Sequence, residues 1–277
     1  RSSVQRLESM AKKDSVMNNL LKRALSGIVF LIVMVFGLIW DRTFFGALFL
    51  VILYFSLHEF YTISLGGSFR LQQKLGLLTG SAAFILVASH YFYGIDLRWL
   101  ATVLIPLMLI PVTCLFRPSH EDFGDVATVY AGLLYIALPI SLSPILVMDG
   151  EYFSGWLLLS FFILIWVSDI CAYCFGTAFG QKPGAHKLAS EISPKKSWWG
   201  VFSGIFFCIL AAAGLHFLGW LQFSLVHCLA LGLIISIGCV FGDLVESLWK
   251  RYCKVKDSGS CIPGHGGMLD RFDSSLV

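Results

Sequence analysis

The sequence predicts an all-α fold, a polytopic integral membrane bundle of about eight transmembrane helices. Of its 277 residues 57% are hydrophobic and only 13% charged, where a soluble domain carries about 25% charged residues. Apolar runs of a length that crosses a bilayer recur along the chain, and the basic residues gather on one side of them. A soluble globular protein, a disordered chain and a nucleic-acid module are all excluded by this balance, and one integral domain is expected.

A bilayer core of about 30 Å needs roughly 20 apolar residues in helical form. Runs of that kind fall at approximately 24–40, 44–60, 76–93, 99–116, 126–147, 156–179, 201–220 and 224–248. Short polar or Gly- and Pro-containing joints separate them, such as Asp41-Arg42, Gly94 to Arg98 and Arg117-Pro118. From Val201 to Gly242 there is no Asp, Glu, Lys or Arg, and the stretch breaks around Gly219 to Gln222, which reads as a tight helical hairpin. The first run is followed almost at once by another span and by no small-residue cleavage site, so a cleaved signal peptide is not expected. Internal repeats are not evident.

Residues 1–23 read as a cytoplasmic tail and 24–277 as the membrane domain, with polar segments at 180–200 and 243–274. With the N-terminus inside and eight alternating spans, 18 of the 20 Lys and Arg residues face the cytoplasm, leaving only Arg42 and Arg98 outside. That bias follows the positive-inside rule. Both polar segments then lie on the side where nucleotides are.

Asp169 is the only charge between Glu151 and Lys182. An unpaired intramembrane carboxylate costs several kcal/mol, so such a residue faces a polar cavity, a cation or a partner, a buried pair with a lysine being the structural alternative. At helical spacing it shares a face with Ala172, Tyr173, Gly176 and Gly180, whose small members suit close helix packing. The nearby Cys171 and Cys174 have no second ligand pair at metal-site spacing and are read as packing residues. Most of the eight cysteines fall inside apolar runs, where cysteine acts as a small hydrophobe.

After the sixth run, Lys182 and Lys187 could simply meet anionic lipid heads. Ser193-Pro194-Lys195-Lys196-Ser197 is more specific, because two hydroxyls and two ammonium groups before the Trp198-Trp199 pair suit a phosphate at the bilayer surface. At the C-terminal end Asp243, Glu246 and Ser247 share a helical face. They are followed by Lys250-Arg251, Lys254, Lys256-Asp257 and the segment Pro263 to Ser274, which contains His265-Gly266-Gly267 and Asp270-Arg271-Phe272-Asp273. Carboxylates, cations and glycines at this density supply oxygen ligands for Mg²⁺, partners for phosphate oxygens and room for close backbone approach.

At these residues the sequence resembles the phosphatidate cytidylyltransferase family, also called CDP-diacylglycerol synthase. The family signature is matched by Ser247, Lys250, Arg251, Lys256, Asp257, Pro263, His265, Gly266, Gly267, Asp270, Arg271 and Asp273, over 27 positions. An earlier segment is also similar, through Asp169, Ala172, Tyr173, Gly176, Lys187-Leu188 and Ser193 to Gly200, with Ser197 where the family tends to have Thr. The likeness runs from about residue 20 to 277 and is weak in the first five helices. The family implies a ninth, short apolar helix after the signature, whereas this sequence stops at Val277 and starts at a non-Met Arg1, as a trimmed chain would.

The resemblance implies transfer of CMP from CTP to phosphatidate, giving CDP-diacylglycerol and pyrophosphate for phospholipid synthesis, with Mg²⁺ and room for a second cation. Asp243 and Asp270 are the leading metal ligands, with Asp169 and Asp273 as further acidic members. Lys250, Arg251, Lys256 and Arg271 are phosphate contacts, and Ser193, Lys195 and Lys196 hold the lipid phosphate or the CTP tail. Ser247, Gly266 and Gly267 complete the substrate-binding set. His265 either donates to the leaving pyrophosphate or fixes the turn. The expected setting is a bacterial inner membrane with the site on the cytoplasmic side and the bilayer as partner, and a homodimer is compatible with it. Two other readings stand beside this one: a CTP-dependent lipid or polyprenol kinase, and a secondary transporter. The transporter would need charges over several midplane helices, often with an inverted repeat.

Overall fold

The computed structural model describes residues 25–67, 69–116, 123–182, 184, 186–259, 261 and 266–276. Eight helices follow one another among them: α1 (Leu25–Ile39), α2 (Arg42–Leu65), α3 (Arg70–Tyr93), α4 (Leu97–Phe116), α5 (Gly124–Leu146), α6 (Trp156–Ala178), α7 (Trp198–Phe217) and α8 (Leu225–Tyr252). Seven of these, α2 to α8, are long and apolar enough to cross a membrane. The protein is an all-α, multi-pass membrane bundle. Among the described residues the other regular structure is two 3₁₀ turns near the C-terminus and two short antiparallel hairpins, β1 (Met148–Asp149) with β2 (Tyr152–Phe153), and β3 (Lys187–Ala189) with β4 (Ser193–Ser197).

Helix boundaries follow local chemistry. Asp41 begins α2 by accepting a hydrogen bond from the Thr43 amide at 2.8 Å, the usual use of an N-cap carboxylate. Gly94 ends α3 in the left-handed region, φ 70°, where a side chain would be strained. Helix α4 is 3₁₀ at both ends around a short α segment that holds Pro111, and it buries only Ile110. Helix α5 widens into a π turn over Leu133–Ala137 just ahead of Pro139, whose missing N–H interrupts the ladder there.

Several boundaries differ from those expected, among them the end of α2 at Leu65 instead of residue 60. Helix α3 starts at Arg70, not near residue 76, because Gln72 is buried and donates to Thr113 Oγ1 at 2.9 Å, so polar residues extend the packed helix. Helix α8 continues past residue 248 to Tyr252. Its 28 residues reach about 42 Å at 1.5 Å per residue, more than the hydrocarbon core. The helix is thus long enough to extend beyond the apolar layer, and its last turns carry Glu246 and Lys250.

The main core joins α1 to α6 and closes over the C-terminal turns, where Phe272 lies against Phe30 and Phe162 with ring centroids at 6.0 and 6.1 Å. A smaller core of Leu164, Cys208, Ala212, Leu215, Leu221 and Cys228 ties α6, α7 and α8 together.

Candidate active site

The sequence builds the site by letting three helices approach closely. A Cβ on Gly200 of α7 would lie 2.8 Å from the Ala172 carbonyl oxygen of α6, and one on Gly176 would meet the Gly200 Cα at 3.6 Å. The small-residue face expected on α6 is thus the face that α7 packs against. Ser197 closes β4 and caps α7, its Oγ accepting from the Gly200 amide at 3.4 Å. Lys187 Nζ donates to the Gly180 carbonyl at 2.9 Å and to Gln181 Oε1 at 2.7 Å, which fixes the β3–β4 hairpin to the end of α6. On the other side Gly242 of α8 has no room for a side chain, because the backbone of Asp273 and Ser274 passes there. Two 3₁₀ turns, Leu269–Arg271 and Asp273–Ser275, are held in this way beside α8.

These elements enclose a cavity of about 420 Å³. Asp169, Asp243, Asp270 and Asp273 line it together with Ser193, Lys195 and Lys196. Residues from three separate stretches of the sequence therefore meet in one place. Lys196 Nζ pairs with Asp243 Oδ2 at 2.7 Å, and Ser247 Oγ donates to Asp243 Oδ1 at 3.2 Å. Lys250 Nζ bridges Glu246 Oε2 at 2.9 Å and Asp270 Oδ1 at 2.8 Å. Asp270 Oδ2 accepts from the amides of Ser258 and Gly267 at 3.0 and 2.9 Å. Ser274 Oγ donates to Asp169 Oδ1 at 3.4 Å, and the Ser274 amide donates to Asp273 Oδ1 at 2.7 Å.

The two loop carboxylates are tuned in opposite directions. Burial alone would raise the Asp270 carboxyl, but the Lys250 ammonium and the two amide donors outweigh it and hold the group below the ordinary range. Asp273 is pushed upward, first by burial and then by the charge of Asp243.

Not every expected residue faces the cavity. Gly266, at φ 88°, and Gly267 act through the loop: a Cβ on Gly266 would lie 2.9 Å from Asp270 Oδ2. Arg251 donates to the Val255 carbonyl at 3.4 Å on the exposed side, and Lys256 and Arg271 are also exposed and outside the cavity wall. His265 lies outside the described residues. Two groups given no role of their own from the sequence hold the site together. Glu246, buried, holds Lys250, and Glu59 of α2, also buried, touches the signature loop. Glu59 is the only Asp or Glu between Asp41 and Asp96, so the criterion that singles out Asp169 would have found it.

Among the described residues no group of three His, Cys, Asp or Glu side chains is disposed to hold a metal ion on its own. The donors around the cavity are nonetheless mostly carboxylate and hydroxyl oxygens, with ammonium groups alongside and one thiol, Cys239. Such a set suits Mg²⁺, which is commonly held by one or two carboxylates plus substrate phosphates and water rather than by a protein cage.

The sequence model of the cytidylyltransferase family matches residues 21–277. The chain belongs to this family. A phosphatidate cytidylyltransferase of Rickettsia bellii is 30% identical over 210 residues, 73% of this chain and 86% of that protein. One from Bacillus subtilis is 32% identical over 196 residues, 70% of each chain. A chloroplastic phosphatidate cytidylyltransferase of Arabidopsis thaliana is 50% identical over 121 residues, 43% of this chain and 29% of its own longer length. Family membership makes the protein a nucleotidyltransferase, and the cavity is where its structure gathers groups suited to that chemistry.

Proposed function

We propose that the protein is a phosphatidate cytidylyltransferase, converting CTP and phosphatidate to CDP-diacylglycerol and pyrophosphate. The observation that carries this reading is one cavity lined both by carboxylates from α6, α8 and the C-terminal turns and by Ser193, Lys195 and Lys196. A phosphate oxygen of the lipid attacks the α-phosphorus of CTP, the bond to the β-phosphate breaks, and pyrophosphate leaves. Aligning two polyanions and neutralising their charge is most of the work, and no covalent enzyme intermediate is needed.

Asp243, Asp270, Asp169 and Asp273 would hold Mg²⁺, with room for a second cation; bound there, the ion neutralises phosphate charge and polarises the P–O bond. Lys195, Lys196 and Ser193 bind phosphate oxygens, and Ser247 orients Asp243. Lys250 orients Asp270. Arg251, Lys256 and Arg271, exposed and outside the cavity wall, add positive potential to the segment that carries Asp270. The site opens to the cytoplasm, where CTP is present, and the membrane is a bacterial inner membrane.

Incubation of the bilayer-reconstituted protein with phosphatidate, Mg²⁺ and CTP labelled at the α-phosphorus tests this. Label should enter the lipid as pyrophosphate is released. Label remaining in CDP would mean γ-phosphoryl transfer by a lipid kinase and would contradict the reading. For sidedness, Glu191→Cys, exposed in the turn between β3 and β4, in a variant freed of native cysteines should resist an impermeant thiol reagent in intact cells and react after permeabilisation.

A further inference from the structure

The C-terminal signature loop leaves α8 at Tyr252 and returns to the cavity at Asp270, and a residue far away in sequence joins its two arms. Glu59 Oε2 accepts from Ser258 Oγ at 3.1 Å and from the Leu269 amide at 3.0 Å, while Oε1 accepts from the Met268 amide at 3.0 Å. Ser258 belongs to the outgoing arm, Met268 and Leu269 to the returning one. The same Ser258 hydroxyl accepts from the Asp270 amide at 3.3 Å, so one unbroken chain of hydrogen bonds links Glu59 to the cavity carboxylate.

The sterics agree. A Cβ on Gly259 would lie 2.7 Å from Glu59 Cδ, and one on Gly267 would collide with the Glu59 carboxylate and with Ser258 Oγ. Glycine at both places lets the loop backbone close onto the carboxylate. The end of α2 is itself anchored to α8, where Trp249 Nε1 donates to Ser64 Oγ at 2.9 Å and Phe60 stacks on Trp249 at 4.7 Å. The carboxylate therefore sits on a rigid post.

We propose that Glu59 is a positioning residue: it clamps both arms of the signature loop and thereby sets Asp270, and Lys250 with it, at the cavity. The catalytic part of this inference rests on the reading given above; the clamp itself does not. A carboxylate suits the task because all three partners are donors, and an amide in its place would turn its NH₂ toward at least one of them.

The test is Glu59→Gln in the reconstituted full chain, followed by amide hydrogen exchange and steady-state kinetics. Exchange over Gly267 to Leu269 should accelerate at least about 10-fold while α6 to α8 keep wild-type protection, because local opening is released without global unfolding. The kcat for CDP-lipid formation should fall by about 10- to 100-fold, the scale for losing a partner that holds a metal-binding ligand, with KM for CTP little changed. Ser258→Ala, which removes one donor and leaves the carboxylate, should give a smaller local acceleration and covers the case in which the Gln variant does not fold. Wild-type exchange in the loop, or acceleration spread evenly over all helices, would overturn the clamp. Should the wild type make no CDP-lipid, the functional reading fails while the exchange data still decide the clamp.

Discussion

Helices α2 to α5 and helices α6 to α8 both bring glycines together, but they bring different things against them. In the first group an aromatic ring fills the space: Tyr61 would lie 2.7 Å from a Cβ on Gly76 and 2.6 Å from one on Gly132, and its hydroxyl donates to the Val129 carbonyl at 2.9 Å. Gln72 there finds its partner on a neighbouring helix, at Thr113. In the second group backbone meets backbone at Gly176 and Gly200, and the acidic side chains beside them line open space. The difference teaches that the same small residues make a filled scaffold or a walled cleft according to what stands opposite them.

The largest way to break this comparison is to remove the cation. CDP-lipid formation should vanish on chelation and return with Mg²⁺, while Ca²⁺, with its longer and looser coordination, should support little turnover. Full activity in excess chelator would contradict the assignment of the carboxylates.

Next comes Asp169, which accepts from a neutral hydroxyl, Ser274 Oγ at 3.4 Å. Asp169→Asn should lower turnover roughly 10²-fold, the scale of one preorganised electrostatic group. The melting temperature should hold or rise, since a neutral amide is cheaper to bury. A destabilised variant with normal specific activity in its folded fraction would make Asp169 scaffolding instead.

A matched pair of glycine substitutions then sharpens the contrast. Gly200→Ala and Gly132→Ala each force an overpacked contact, which costs about 1–3 kcal/mol. Both should lower the melting temperature. Only Gly200→Ala should also reduce kcat per folded molecule, because it pushes α7 and the Lys195-Lys196 strand from α6. Equal kcat in the two variants would argue against the division into scaffold and site.

The smallest effects concern pH. Asp270 is held below its ordinary value, so the stability it contributes is present above about pH 4 and is lost as pH falls through its folded-state value. Asp270→Asn should flatten the acid limb of the melting curve. Asp273 is raised, so its contribution is present in acid and is lost as pH rises through its folded-state value. Asp273→Asn should therefore melt at or slightly above wild type at neutral pH. Parallel melting curves for both variants from acid to neutral pH would contradict these opposite signs.

Much of this was legible in the sequence, and the illegible part has a physical cause. The spans follow from apolar runs because the bilayer fixes their length. Asp169 stands out by its cost in lipid, and the Ser193 to Ser197 and Asp243 to Asp273 segments by their density of oxygen donors and cations. Helix ends were less clear where polar residues such as Gln72 and Lys250 continue a helix that packing supports. Motif spacing also does not say which side of a loop a cation takes, and Arg251, Lys256 and Arg271 stand away from the cavity wall. The bonds from Glu59 to Met268 and Leu269 span 209 and 210 residues, and no local pattern encodes such a pairing.

The central claim is that the cleft of α6, α8 and the C-terminal turns, and not the α2 to α5 scaffold, holds the metal and nucleotide together. Electron paramagnetic resonance of Mn²⁺ titrated into the protein with CTP measures this directly. Wild type and Asp125→Asn, altered in the first turn of α5, should bind the ion alike, and Asp243→Asn should lose it. Undiminished Mn²⁺–CTP binding by Asp243→Asn, or its loss in Asp125→Asn, would contradict the account.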